Sequence, residues 1–127
     1  MLLSRVKSLI DLKVKADKKL PTDDILEALI QEATIYTANR CDPAELTRDI
    51  LTDKTVLKMI ENGKVIIEPE YPDLTSIIKH LQIDEILTYP VINYVCFLHT
   101  GNVMYKQLAD EDIAVYRSDF SRVSYGD

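Results

Sequence analysis

A chain of 127 residues with 46% hydrophobic and 28% charged residues and no Trp has the make-up of one globular domain. A chain of this length buries roughly 65–70% of its unfolded surface, so its core needs neither a disulfide nor a metal. Fifteen Lys and Arg against 21 Asp and Glu give a net charge of -6, which argues against a domain dedicated to gripping a phosphate backbone and against sequence-specific nucleic-acid binding.

Residues 2–10 carry Leu2, Leu3, Val6, Leu9 and Ile10 at helical spacing, and 13–19 form a mixed, mostly basic connection. Arg5, Lys7 and Asp11 interrupt the apolar start before it could act as a signal segment, and no apolar run approaches the ~20 residues of a membrane span. From Thr22 to about Asn39 the pattern predicts the clearest helix. Thr22 is its expected cap, Asp23 and Asp24 sit at its positive dipole end, and Ile25, Leu26, Leu29, Ile30, Ala33 and Tyr36 give one wide apolar face. Pro43 ends that helix, and Asp42 is the expected cap of a short one over Leu46, Ile50 and Leu51.

Val56, Leu57 and Ile60 lie at helical spacing and predict a further helix over 53–61, stopped by Asn62-Gly63, a pair suited to positive φ at a helix end or in a tight turn. The β-branched run at 64–68 is read equally well as a short strand or an extended loop. Asp73 is placed to cap a helix through Leu74, Ile77, Ile78 and Leu81. After Pro90 the longest apolar stretch, 91–108, predicts a central helix buried on more than one side, or two helices meeting near Gly101-Asn102. Asp110, Glu111 and Asp112 open a last helix with Ile113, Tyr116, Phe120 and Val123 on one face. The expected fold class is therefore mainly α: a compact bundle of about five to six helices with at most one short β element near 64–68, one domain over 1–127 whose residues 124–127 fray.

Catalytic and metal schemes have few players. Cys41 and Cys96 fit no C-x-x-C or zinc spacing, and the simplest compartment for them is a reduced cytosol. His80 with Asp84 offers two metal ligands at i, i+4, short of the third donor a site needs. Cys96 and His99 fall three apart, the minimal spacing for an activated thiolate, but an apolar helix buries such a pair more often than it uses it. The acid pairs follow from helix dipoles, and three glycines build no phosphate-cradling loop. The expectation is no enzyme, no cofactor and no metal. Tyr94, Tyr105, Tyr116 and Tyr125 cluster in the C-terminal third, where large side chains with polar tips are suited to interfaces.

The run D-I-L-E-A-L-I-Q-E-A-T-I-Y-T-A-N-R at 24–40 resembles the opening signature of the small head-tail connector proteins of tailed phages and prophages. Leu26, Leu29, Ile30 and Ala33 match its Leu-x-x-Leu-Ile-x-x-Ala core, with Ile35 and Tyr36 in the late positions. The chain departs from the family in an additional N-terminal helix and a longer 42–70 segment. The resemblance implies a structural virion-assembly protein at the virion neck, present in the host cytoplasm during assembly. It implies a ring of about twelve copies closed by cyclic symmetry, seated on the portal protein and receiving a stopper or tail-completion protein. Asp110, Glu111 and Asp112 are the acids proposed to line its DNA channel, where carboxylates repel phosphates and let the genome slide. Weak self-association, with rings completed on a partner, is the expected solution behaviour. The alternative is a small acidic helical adaptor or regulator that binds one protein partner through a groove.

Overall fold

The computed structural model describes residues 1–125, with side chains described through Asp119. Four helices, α1 (Leu3–Val14), α2 (Asp23–Arg40), α3 (Thr88–Thr100) and α4 (Val103–Tyr125), enclose in sequence a three-stranded sheet of β1 (Thr47–Asp49), β2 (Val56–Met59) and β3 (Lys64–Ile67). The expected all-helical bundle of five to six helices with at most one β element near 64–68 is therefore corrected to a mixed α/β fold.

α3 is the centre. It buries Thr88, Pro90, Val91, Ile92, Asn93, Val95 and Cys96, and α1, α2 and α4 each pack on it. α1 contributes Leu3, Val6, Ile10 and Val14, and α2 contributes Leu26, Ile30 and Ala33 along one face. α1 runs through Val14 because that side chain extends the buried stripe by one more turn. The apolar stretch 91–108 divides at Gly101, whose φ of 76° closes α3 in the left-handed region. The Asn102 side chain then accepts from the Met104 N–H and caps α4. Asp110, Glu111 and Asp112 consequently lie inside α4 and do not open a separate helix. A Cβ at Gly101 meets no atom within 4 Å, so Gly101→Ala tests backbone conformation alone. It is expected to lower the unfolding free energy by about 1 kcal/mol in urea titrations.

The sheet replaces two predicted helices, and its logic is non-local. β3 is the middle strand, antiparallel to β1 on one side and β2 on the other. Val65, Ile66 and Ile67 are all buried, so this run demands cover on both faces and partners on both edges. β1 supplies Thr47 opposite Ile66 and Arg48 opposite Val65. β2 pairs Val56 with Ile67 and Met59 with Val65, with a register shift between Val56 and Lys58. Asn62 and Gly63 have φ of 64° and 69°, and the Lys64 N–H reaches back to the Glu61 carbonyl. These are the marks of a hairpin turn with two left-handed central residues, which explains why Asn-Gly stands here. The spacing of Val56, Leu57 and Ile60 fits a helix in isolation, but only the strand conformation gives β3 its second edge.

The helix expected from Asp73 is also absent. Asp73 caps a single turn by accepting from the Thr75 N–H, and the backbone of Lys79 and Leu81 bonds instead to Leu3 and Met1. Its peptide groups are satisfied by the N-terminal residues, so no helix propagates through Ile77 and Ile78.

Candidate functional site

The side chains singled out in the C-terminal third separate into two clusters and a surface stripe. The first cluster joins α2, α3 and α4. Tyr36 stacks on Tyr94 with ring centroids 3.8 Å apart and an interplanar angle of 16°, and Tyr94 meets Phe97 at 5.5 Å. The Arg40 guanidinium covers the Tyr36 ring at 3.6 Å, a planar cation on an electron-rich face. At the ring's tip the Tyr36 hydroxyl donates to Asp110 Oδ1 at 2.6 Å, while Lys106 Nζ donates to Asp110 Oδ2 at 2.8 Å. Asp110 is thus committed to α2 and to its own helix. Burial raises its pKa, but the hydrogen bonds from Lys106 and Tyr36 outweigh burial and hold it below the ordinary carboxylate range. Burial, then the bond to Asp110, raises the Tyr36 hydroxyl.

Because the Asp110 pKa is depressed, its contribution to stability is present above the unfolded value near about 3.9 and is lost as pH falls through the folded value. Tyr36→Phe removes one donor to a partly exposed carboxylate. The expected loss is about 1 kcal/mol at neutral pH, shrinking as pH falls below the ordinary carboxylate range and Asp110 protonates, read by urea unfolding over a descending pH series.

The second cluster is built on Asp84. Its Oδ1 accepts from the Glu45 N–H at 2.7 Å, and its Oδ2 accepts from the Ala44 N–H at 3.0 Å and the Tyr116 hydroxyl at 2.7 Å. Asp84 therefore caps the 3-10 turn Ala44–Leu46 from 40 residues away, the role expected of Asp42. The Asp42 carboxylate instead pairs with Lys58 at 3.1 Å. Burial, then the hydrogen bond to Asp84, raises the Tyr116 hydroxyl above the ordinary tyrosine range. Tyr116 is a core residue at 6% exposure. Tyr105 is half-buried and donates to the Lys13 carbonyl at 3.1 Å, tying α4 to the end of α1. Tyr125 lies outside the residues whose side chains are described.

The nucleophile and metal schemes find no geometry. Both cysteines are buried and free; burial pushes Cys41 up to about 12 and Cys96 up to about 11, so neither holds a thiolate near neutrality. His99 donates through Nε2 to the Lys19 carbonyl at 2.7 Å. No helix spans His80 and Asp84, and among the described residues no group of three or more His, Cys, Asp or Glu could hold a metal ion. An open cleft of about 390 Å³ runs beside the sheet, lined by Gln31, Lys54, Ile67, Glu68, Tyr71 and Gln82. It gathers mixed amides, charges and hydroxyls around Ile67. No family model, curated protein or solved structure matches the chain.

What the described surface does carry is unpartnered apolar area. Ile77 and Leu51 stand 86% and 94% exposed at loop positions. On α4, Met104, Leu108 and Val115 are 54%, 41% and 55% exposed, and their spacing puts them with Glu111 on one stripe. That stripe faces away from Ala109, Ile113 and Tyr116, which α4 buries. Of the other two acids expected in a channel, Glu111 lies in the stripe and Asp112 beside it, both exposed. The α4 pattern is readable in the sequence, but a helix with apolar residues on two faces reads as fully buried until its packing is known. No helix among the described residues is long and apolar enough to cross a membrane.

Proposed function

We propose that this chain is a non-enzymatic structural subunit of a phage or prophage neck, a head-tail connector that assembles into a ring between the portal protein and a stopper or tail-completion protein. The observation that carries the reading is α4, a helix with one apolar face in the core and a second, opposite apolar stripe in solvent. A contiguous exposed apolar stripe marks an interaction surface, and subunit contact is the use that this reading gives it. The acidic balance, -6 over the chain, suits a ring around DNA, since a negative lumen keeps phosphates moving. Asp112 is the better lining candidate: Asp110 is held by Lys106 and Tyr36, and Glu111 belongs to the stripe. The resemblance at 24–40 supports the same reading, although burial of Leu26, Ile30 and Ala33 is also what any core helix requires.

The test is negative-stain imaging of the chain mixed with purified portal rings of the same genome. The expected result is an added annulus of subunits on one end of the portal. Portal rings left bare, with the chain monomeric or a two-fold dimer, would favour a single-partner adaptor instead.

A further inference from the structure

We infer that the subunits associate head to tail through α4 of one copy and α1 of the next, an inference that rests on the self-assembly reading above. α1 carries its own outward stripe. Leu3, Val6, Ile10 and Val14 face the core, and the opposite side presents Arg5, Ser8, Leu12 and Lys15, all exposed, with Leu12 at 62%. This stripe is basic around one apolar knob. The α4 stripe is its complement: apolar Met104, Leu108 and Val115, with Glu111 and Asp119 as its charges and no Lys or Arg within it. Arg5, Lys15, Glu111 and Asp119 form no ion pair among the described residues, so four charges are free to pair across a contact.

The lengths agree as well. At about 1.5 Å per residue the α1 stripe from Arg5 to Lys15 spans about 15 Å, and the α4 stripe from Met104 to Val115 about 16 Å. In an antiparallel register that seats Leu12 between Leu108 and Val115, Arg5 falls opposite Asp119, because Leu12 is seven residues from Arg5 and its seat is about seven from Asp119; Lys15 falls opposite Leu108, about 4 Å along the axis from Glu111. Both stripes are exposed in the same copy, so one copy offers both at once. Two different surfaces of each copy then meet, which is a heterologous contact that propagates until the rotation closes. A single pair of helices covers less than the roughly 800 Å² per partner of a standard stable interface. The contact is therefore weak in solution and is completed when subunits are gathered on a partner.

The experiment uses the full chain in sedimentation velocity at low and moderate salt, with circular dichroism confirming that each variant is folded. Arg5→Asp and Asp119→Arg are each expected to weaken self-association about tenfold, and the two together in one chain to restore it to within about threefold. In parallel, Leu12→Cys and Val115→Cys chains are oxidised with copper phenanthroline. The mixture should give a cross-linked dimer that neither chain gives alone, since the native cysteines are buried. If neither charge variant changes association while the wild-type chain still forms oligomers or portal-bound rings, the α1–α4 contact is wrong and the ring reading stands. If Leu12→Cys cross-links to itself as readily as to Val115→Cys, the contact is two-fold and the head-to-tail inference is overturned. If the wild-type chain associates neither with itself nor on the portal, both readings fall.

Discussion

Ile66→Ala is expected to lower the unfolding free energy by about 3–4 kcal/mol, the largest single effect of any change considered for this chain. Ile66 is fully buried at the middle of β3, opposite Thr47 of β1 and Lys58 of β2. Truncation removes three carbons from a site that two strands and the helical layer hold rigid, so the cavity cannot collapse and its cost adds to the lost transfer energy. Loss of a β-branched side chain in a central strand adds some tenths of a kcal/mol. Urea unfolding followed by circular dichroism reads the change. The matched control is Ile77→Ala, whose side chain is almost wholly exposed and whose replacement should shift stability by less than about 0.5 kcal/mol. Equal effects at the two positions would contradict the sheet.

Asp84→Ala is the second large effect, at about 2–3 kcal/mol. The substitution strips an acceptor from three donors at once, the N–H groups of Ala44 and Glu45 and the Tyr116 hydroxyl. Hydrogen bonds to a charged group carry about 1.5–3 kcal/mol each. Partial exposure of the two backbone groups lets water repair them, which keeps the total below the sum. The melting temperature should fall by roughly 8–12 °C, given about 4 °C per kcal/mol for a domain of this size. Asp84→Asn keeps one acceptor oxygen and the side-chain shape, so it should lose about half as much. A thermal melt of both variants checks the order. A Tyr116→Phe change should then cost less on the Asp84→Ala background than in the wild-type chain, because the bond to Asp84 is already gone and the weaker contact with the Asp42 carbonyl at 3.5 Å remains to be lost.

How much of this was legible in the sequence follows from the range of the interactions. α1, α2 and α3 are set by local periodicity: Leu26, Ile30 and Ala33 recur on one face, and Gly101 with Asn102 supplies a stop and a start. Asn62-Gly63 was readable as a site of positive φ, but in its local pattern it reads as the stop of a helix, and the 64–68 run reads equally well as a short strand or an extended loop. The strands that flank it were not legible, since Val56, Leu57 and Ile60 satisfy helical spacing and become a strand only because β3 needs two partners. Asp84 escaped because it caps a turn 40 residues earlier in the chain, beyond any local motif. The Tyr36 cluster left a fainter signal. Tyr36 with Arg40 and Lys106 with Asp110 are both i, i+4 pairs, and reading them together would have moved Asp110 from a channel to a helix contact.

Self-assembly is the claim on which the functional account turns, and molar mass measured by light scattering behind size exclusion tests it most directly. Over a rising concentration series, and then with portal rings added, the account predicts a mass that climbs above the 14.5 kDa monomer and a portal peak that gains many subunits. A mass fixed at the monomer at every concentration, with a portal peak that gains nothing, would contradict it.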